Sequence, residues 1–213
     1  MTADVTRAVR FIKSLPAKRK KRRCDARATR GLSPRAENSD KITHLLDLHE
    51  DPFMALGTDF ILHALAREGL SHLFLVPGGL VDPFLPALAR HPGIKPVVAA
   101  HEGGAAYMAD GYARASGRFG AVLGIGGPGL CNMATAVAAA KTDAAPLLVL
   151  SGEVPVAMEG LGEFQDASQA TLDDTAVMKP LTRLSMTAVS ASNLNHWLRH
   201  ALTAMWAHPR GPV

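Results

Sequence analysis

Four short apolar runs, spaced by segments long enough to be helices, set the tightest limit on how this chain can fold. They occupy residues 72–76, 94–100, 119–125 and 146–151. Helices are expected between them, over 57–69, 81–89, from Glu102 to about Ala115, and over 132–141. In the first, Phe60, Ile61, Ala64, Leu65 and Glu68 recur with helical spacing, and Gly69 suits its end. Apolar strands separated by helices require βαβ crossovers. The fold class is therefore α/β: a mostly parallel sheet flanked by helices on both faces.

Beyond residue 151 the pattern loosens. Residues 152–168 read as a long loop bearing glycines and acids, and long loops within compact domains usually serve a function. A last helix is expected over 194–207, carrying both Trp residues, and 208–213 reads as an edge strand cut short.

The net charge of +4 hides an asymmetry. Residues 1–50 hold 13 Lys and Arg against 6 Asp and Glu, whereas the rest holds 10 against 13. The basic residues, including the block from Lys18 to Arg23, belong to an arm expected to be flexible over 1–52, and the folded domain is expected over 53–213. The block has no interleaved aromatics, so nucleic-acid binding is not expected. Aromatics make up only 5% of the chain, which leaves Ala, Leu and Val to build the core. Cys24 and Cys131 are the only cysteines, and a structural disulfide is not expected. No apolar run reaches the roughly 18 residues of a membrane span, and no secretory leader is evident. A cytoplasmic setting follows as the expectation.

Two segments could carry chemistry. The first is 100–114, where Glu102 stands at a strand-to-helix junction, the place where open α/β sheets gather ligands. An acid in a helix's first turn is also favoured by the helix dipole, by a few tenths to about 1 kcal/mol, with no ligand at all. The second is Gly124-Ile125-Gly126-Gly127-Pro128-Gly129, which matches the G-x-G-x-x-G of a dinucleotide site. That alternative is weakened by its place in the third βα unit, by Pro128 replacing an amide, and by Ser151-Gly152 intervening before Glu153. The nine His lack ligand spacing, so no metal site is expected, and no nucleophile elbow is present.

The motifs taken in succession resemble one family. They are Phe74-Leu75-Val76-Pro77-Gly78-Gly79, His101-Glu102 with Ala109-Asp110-Gly111-Tyr112-Ala113-Arg114, Gly127-Pro128-Gly129-Leu130-Cys131-Asn132, Pro146 through Gly152, Glu163-Phe164-Gln165, and the closing Arg210-Gly211-Pro212-Val213. Residues 54–213 resemble the N-terminal, pyrimidine-binding domain of thiamine diphosphate-dependent enzymes of the acetolactate synthase, pyruvate oxidase and benzoylformate decarboxylase group. The acetolactate synthase branch is the nearest in character.

The resemblance implies that Glu102 is the catalytic carboxylate at N1′ of the cofactor's aminopyrimidine, where its hydrogen bond favours the imino form. It implies that Gly78, Gly79, Gly127, Pro128, Gly129 and Asn132 line the pyrimidine pocket, glycine leaving room for a flat ring. It places Phe164 and Gln165 on the substrate side, with ordinary loop packing as the alternative, and sets the Ala105, Ala106, Ala109 and Ala113 region against a partner subunit, with a helix contact inside the chain as the alternative. The implied substrate is a 2-oxo acid, undergoing decarboxylation or carboligation, and the implied assembly is a homodimer or a complementary chain. The family's Gly-Asp-Gly motif for diphosphate and magnesium is missing, and Asp110-Gly111 falls inside a helix. Magnesium is thus expected only with a separate C-terminal domain. FAD is not expected, because Pro209 stands where the flavin-contacting arginine would be and Arg210 is displaced by one. The competing readings are a non-catalytic remnant or partner subunit, and a dinucleotide-binding domain.

Overall fold

A computed structural model describes residues 56–213; the basic arm expected over 1–52, with Cys24, lies outside the described residues. The described chain runs α1 (Gly57–Arg67), β1 (His72–Leu75), α2 (Phe84–Arg90), β2 (Lys95–Val98), α3 (Glu102–Ser116), β3 (Gly120–Ile125), α4 (Pro128–Thr142) and β4 (Leu147–Gly152). It continues with the short α5 (Asp174–Met178) and ends with α6 (Leu194–Trp206). The sheet has the order β2-β1-β3-β4, and every pairing is parallel. Leu75 lies beside both Val98 and Leu123, so the strand ends that precede α2, α3 and α4 finish close together.

Alternation along each strand divides the core between the two faces. Leu73, Leu75, Ala121 and Leu123 pack with Leu62 and Leu65 of α1, Leu88 of α2, and Leu198, Leu202 and Met205 of α6. Phe74 and Val122, their neighbours in sequence, pack on the other face with Ala105, Ala106 and Ala109 of α3 and Met133, Val137 and Ala140 of α4. Helices on both faces of a parallel sheet are the expected architecture.

The alanine row of α3 has a different neighbour from the one expected. Ala105, Ala106, Ala109 and Ala113 are all buried within the chain, against the sheet and α4 rather than on a face left for a partner. Small residues let α3 settle onto β3 so closely that a Cβ on Gly120 would run into the Ala109 carbonyl. The outward side of α3 instead carries Gly104, Tyr107, Met108 and Gly111.

Element boundaries moved for local reasons. The helix expected from residue 132 begins at Pro128, because proline's fixed φ and missing N–H suit the first helical position. Cys131, expected in a glycine-rich loop, is therefore an exposed thiol in the first turn of α4. The helix expected from 81 starts at Phe84, after turns at Val81 and Asp82 bonded to the Gly78 carbonyl. The expected edge strand at 208–213 reduces to Val213, whose amide donates to Leu147 and whose carbonyl accepts from Val149, beside β4.

Asp59, in the first turn of α1, fastens that helix to α2. Arg90 donates to both its oxygens, at 3.0 and 2.7 Å, and His91 lies 3.4 Å away. The Arg90 hydrogen bonds hold the Asp59 carboxyl below its ordinary value of 3.8. A depressed carboxyl stabilises the fold above the ordinary value and loses that contribution as pH falls through the native one. Asp59→Asn should therefore lower stability at pH 7 by about 1–2 kcal/mol, Arg90 being half exposed. In denaturant titrations the gap from the parent should narrow as pH falls below the ordinary carboxyl value.

Candidate functional site

The strand ends and helix starts meet where Glu102 stands. β2 finishes at Val98, three residues cross the sheet edge, and Glu102 is the first residue of α3. His101 caps the helix, its Nδ1 accepting the Gly103 amide at 3.0 Å, and this fixes the direction in which Glu102 leaves the backbone. The first turns of α3 and α4 nearly touch: a Cβ on Gly103 would stand 2.9 Å from the Asn132 carbonyl oxygen.

Asn132, one turn into α4, donates from Nδ2 to Glu102 Oε2 at 2.9 Å. That leaves Oε1 on the side of Gly129, where an added Cβ would lie 3.5 Å from it. On Gly124, at the end of β3, a Cβ would sit 3.5 Å from the Glu102 Cγ. The half-buried carboxylate thus stands beside two positions with no side chain of their own, Gly124 covered by the Met133 methyl and Gly129 by Ile125. Ile125 packs against both Gly129 and Gly78, where added Cβ atoms would stand 2.7 and 2.9 Å from its side chain. A carboxylate already oriented by Asn132 can share a proton with a ring nitrogen brought against its other oxygen.

The expected residues divide accordingly. Glu102, Gly129 and Asn132 are brought into direct proximity, and Gly78 joins them through Ile125. Gly127 is the residue before α4, at φ +63°, a conformation that only glycine holds without strain. Pro128 is exposed, and Gly79 faces open space. Phe164 is 82% exposed on the long loop, with Gln165 beside it at φ +63°; neither takes part in the Glu102–Asn132 contact. Asp110 is inside α3, paired with Arg114, which also reaches Asp143, so it is a clamp between helices.

Asp174 was not expected here, and Gly124, Ile125 and Glu153 were expected only within the dinucleotide alternative. Asp174 Oδ2 accepts the buried Gly127 amide at 3.0 Å, and Glu153 Oε1 accepts the amides of Val154 and Ala167. Burial pushes the Asp174 carboxyl above the ordinary range; the Gly127 amide opposes this and the Glu153 charge adds to it. A pyrophosphate at this turn would meet an amide already taken and two carboxylates, which removes the seat of the dinucleotide alternative.

A family model described as the thiamine pyrophosphate enzyme, N-terminal TPP binding domain, matches residues 56–177. The chain belongs to this family. It is 39% identical over 160 residues to a Mycobacterium tuberculosis protein named among acetolactate synthase large subunits. It is 35% identical over 158 residues to glyoxylate carboligase of Escherichia coli O157:H7, and 31% over 157 residues to acetolactate synthase isozyme 1 large subunit of Escherichia coli K12. These alignments cover 75, 74 and 74% of this chain but only 29, 26 and 27% of the relatives. The chain is thus a thiamine diphosphate-binding domain that spans less than a third of those relatives' length.

Proposed function

We propose that this domain holds the aminopyrimidine of thiamine diphosphate, with Glu102 as the carboxylate at N1′, in an acetolactate synthase-like enzyme acting on 2-oxo acids. The observation that carries this reading is the Glu102 carboxylate at the start of α3, with Oε2 held by Asn132 and Oε1 on the side of Gly129. When bound, the cofactor supplies the electron sink for decarboxylation and carboligation. Glu102 would hold a proton at N1′ through Oε1, while Asn132 keeps Oε2 from turning away. Ile125 would exclude water beneath the ring, and Gly129 would let it reach the carboxylate.

Phe164 and Gln165, on the exposed loop, are proposed to face the substrate. Magnesium enters the proposal only with a diphosphate-binding domain, because the Gly-Asp-Gly motif that would hold it is not in this sequence. FAD has no part in it, and Arg210 is stacked over Trp206 at 4.8 Å. The exposed Tyr107 and Met108 on the outer side of α3 support a homodimer or a complementary chain at that face. No helix among the described residues is long and apolar enough to cross a membrane, and the proposed setting is the cytoplasm.

Enlarging Gly129 tests the reading at the free oxygen of the carboxylate, which itself stays in place. Gly129→Ala, the smallest enlargement, should weaken thiamine diphosphate binding in calorimetry by about tenfold or more, while circular dichroism remains that of the parent. Undiminished binding by that variant would contradict the proposed ring position.

A further inference from the structure

We propose that Asp174 is a positioning residue for the cofactor: seated on the Gly127 amide, it sets the turn that delivers Gly129 and Asn132 to Glu102 and joins that turn to the base of the 153–173 loop. This rests on the proposed cofactor site and extends it to a residue with no place in the family motifs quoted above.

The geometry is a closed circuit of hydrogen bonds. Glu153, directly after β4, accepts the amides of Val154 and Ala167, at 2.8 and 3.2 Å. The Ala167 carbonyl accepts the Asp174 amide at 3.0 Å, and Asp174 Oδ2 accepts the Gly127 amide at 3.0 Å. Gly126 is enclosed by the same groups: a Cβ there would lie 3.2 Å from Asp174 Oδ2 and 3.3 Å from Glu153 Oε2. The loop bearing Phe164 and Gln165 is thereby closed at its base and fastened to the turn that opens α4.

Fold stability alone gives little reason for a carboxylate here. Asp174 is only 8% exposed, its Oδ1 has no partner at hydrogen-bond distance, and of its neighbours Ser151 favours the charged carboxyl while Glu153, a second acid, opposes it. Burying such a group carries a penalty that an apolar residue would avoid. What Asp174 provides is an acceptor for the amide of a positive-φ residue whose conformation aims the first turn of α4.

Asp174→Leu removes the acceptor while filling the space, and Asp174→Asn retains an acceptor oxygen. In the full chain, amide exchange at Gly127 and Cys131 should accelerate at least tenfold in Asp174→Leu, with Val122 and Leu123 unchanged. Asp174→Asn should stay within threefold of the parent. Thiamine diphosphate affinity, measured by calorimetry, should fall about tenfold in Asp174→Leu and recover in Asp174→Asn. Leu202→Ala, a core truncation on the opposite face of the sheet, should lower the melting temperature without changing that affinity. Parental affinity and exchange in Asp174→Leu, or equal losses in Asp174→Asn and Asp174→Leu, would overturn the proposal. A parent chain with no binding heat would overturn the cofactor site itself, and with it the claim made for Asp174; loss confined to the variants marks the opposite case.

Discussion

Glu102→Gln should weaken thiamine diphosphate binding by about 10- to 150-fold, the equivalent of losing a charge-assisted hydrogen bond worth about 1.5–3 kcal/mol. The chain's own fold should barely register the change. Glu102 has a single side-chain partner, Asn132, and an amide oxygen at the same place still accepts that hydrogen bond. The loss would lie in the negative charge, which can hold a proton at a ring nitrogen where a neutral amide cannot. Titration calorimetry paired with thermal unfolding separates the outcomes: weaker binding at an unchanged melting temperature is expected, and a parallel fall in both would assign Glu102 to the fold.

Gly120→Ala should be among the most damaging single-methyl additions, costing about 3 kcal/mol or more. The new Cβ would enter the space of the Ala109 carbonyl, which is backbone in the middle of α3 and has no rotamer by which to move aside. Relief would require lifting α3 from β3, and Ala105, Ala106 and Ala109 would lose their packing against the sheet. The same helix supplies its own control. Gly111 is exposed, and a Cβ there would meet nothing within 4 Å, so Gly111→Ala should stabilise by about 0.5–1 kcal/mol through helix propensity alone. Urea midpoints moving in opposite directions for the two alanines are the expected result.

What could be read in the residues tracks how local the physics is. The strands were legible because an apolar run between helix-length segments has no other stable use, and Leu73, Phe74 and Leu75 divide between two cores by strict alternation. Glu102 was legible because the end of β2 and the start of α3 are adjacent in sequence. The start of α4 was misplaced because Gly126-Gly127-Pro128-Gly129 carries the residue types of a turn, although Pro128 is suited to a helix's first position. The alanine row looked equally suited to a partner or to the chain itself, and only the close seat on β3 decides it. Asp174 lay out of reach: its contact with Gly127 spans 47 positions, and α5, on which it stands, is five residues long with no periodicity to detect.

The most direct test follows the proton. Thiamine diphosphate labelled with 15N at N1′ and added at saturating concentration should show its N1′ resonance shifted toward the protonated form in the parent chain. It should keep the unbound position in Glu102→Gln. A bound cofactor whose N1′ signal is identical in the two proteins would contradict the assignment of Glu102 as the carboxylate that shares that proton.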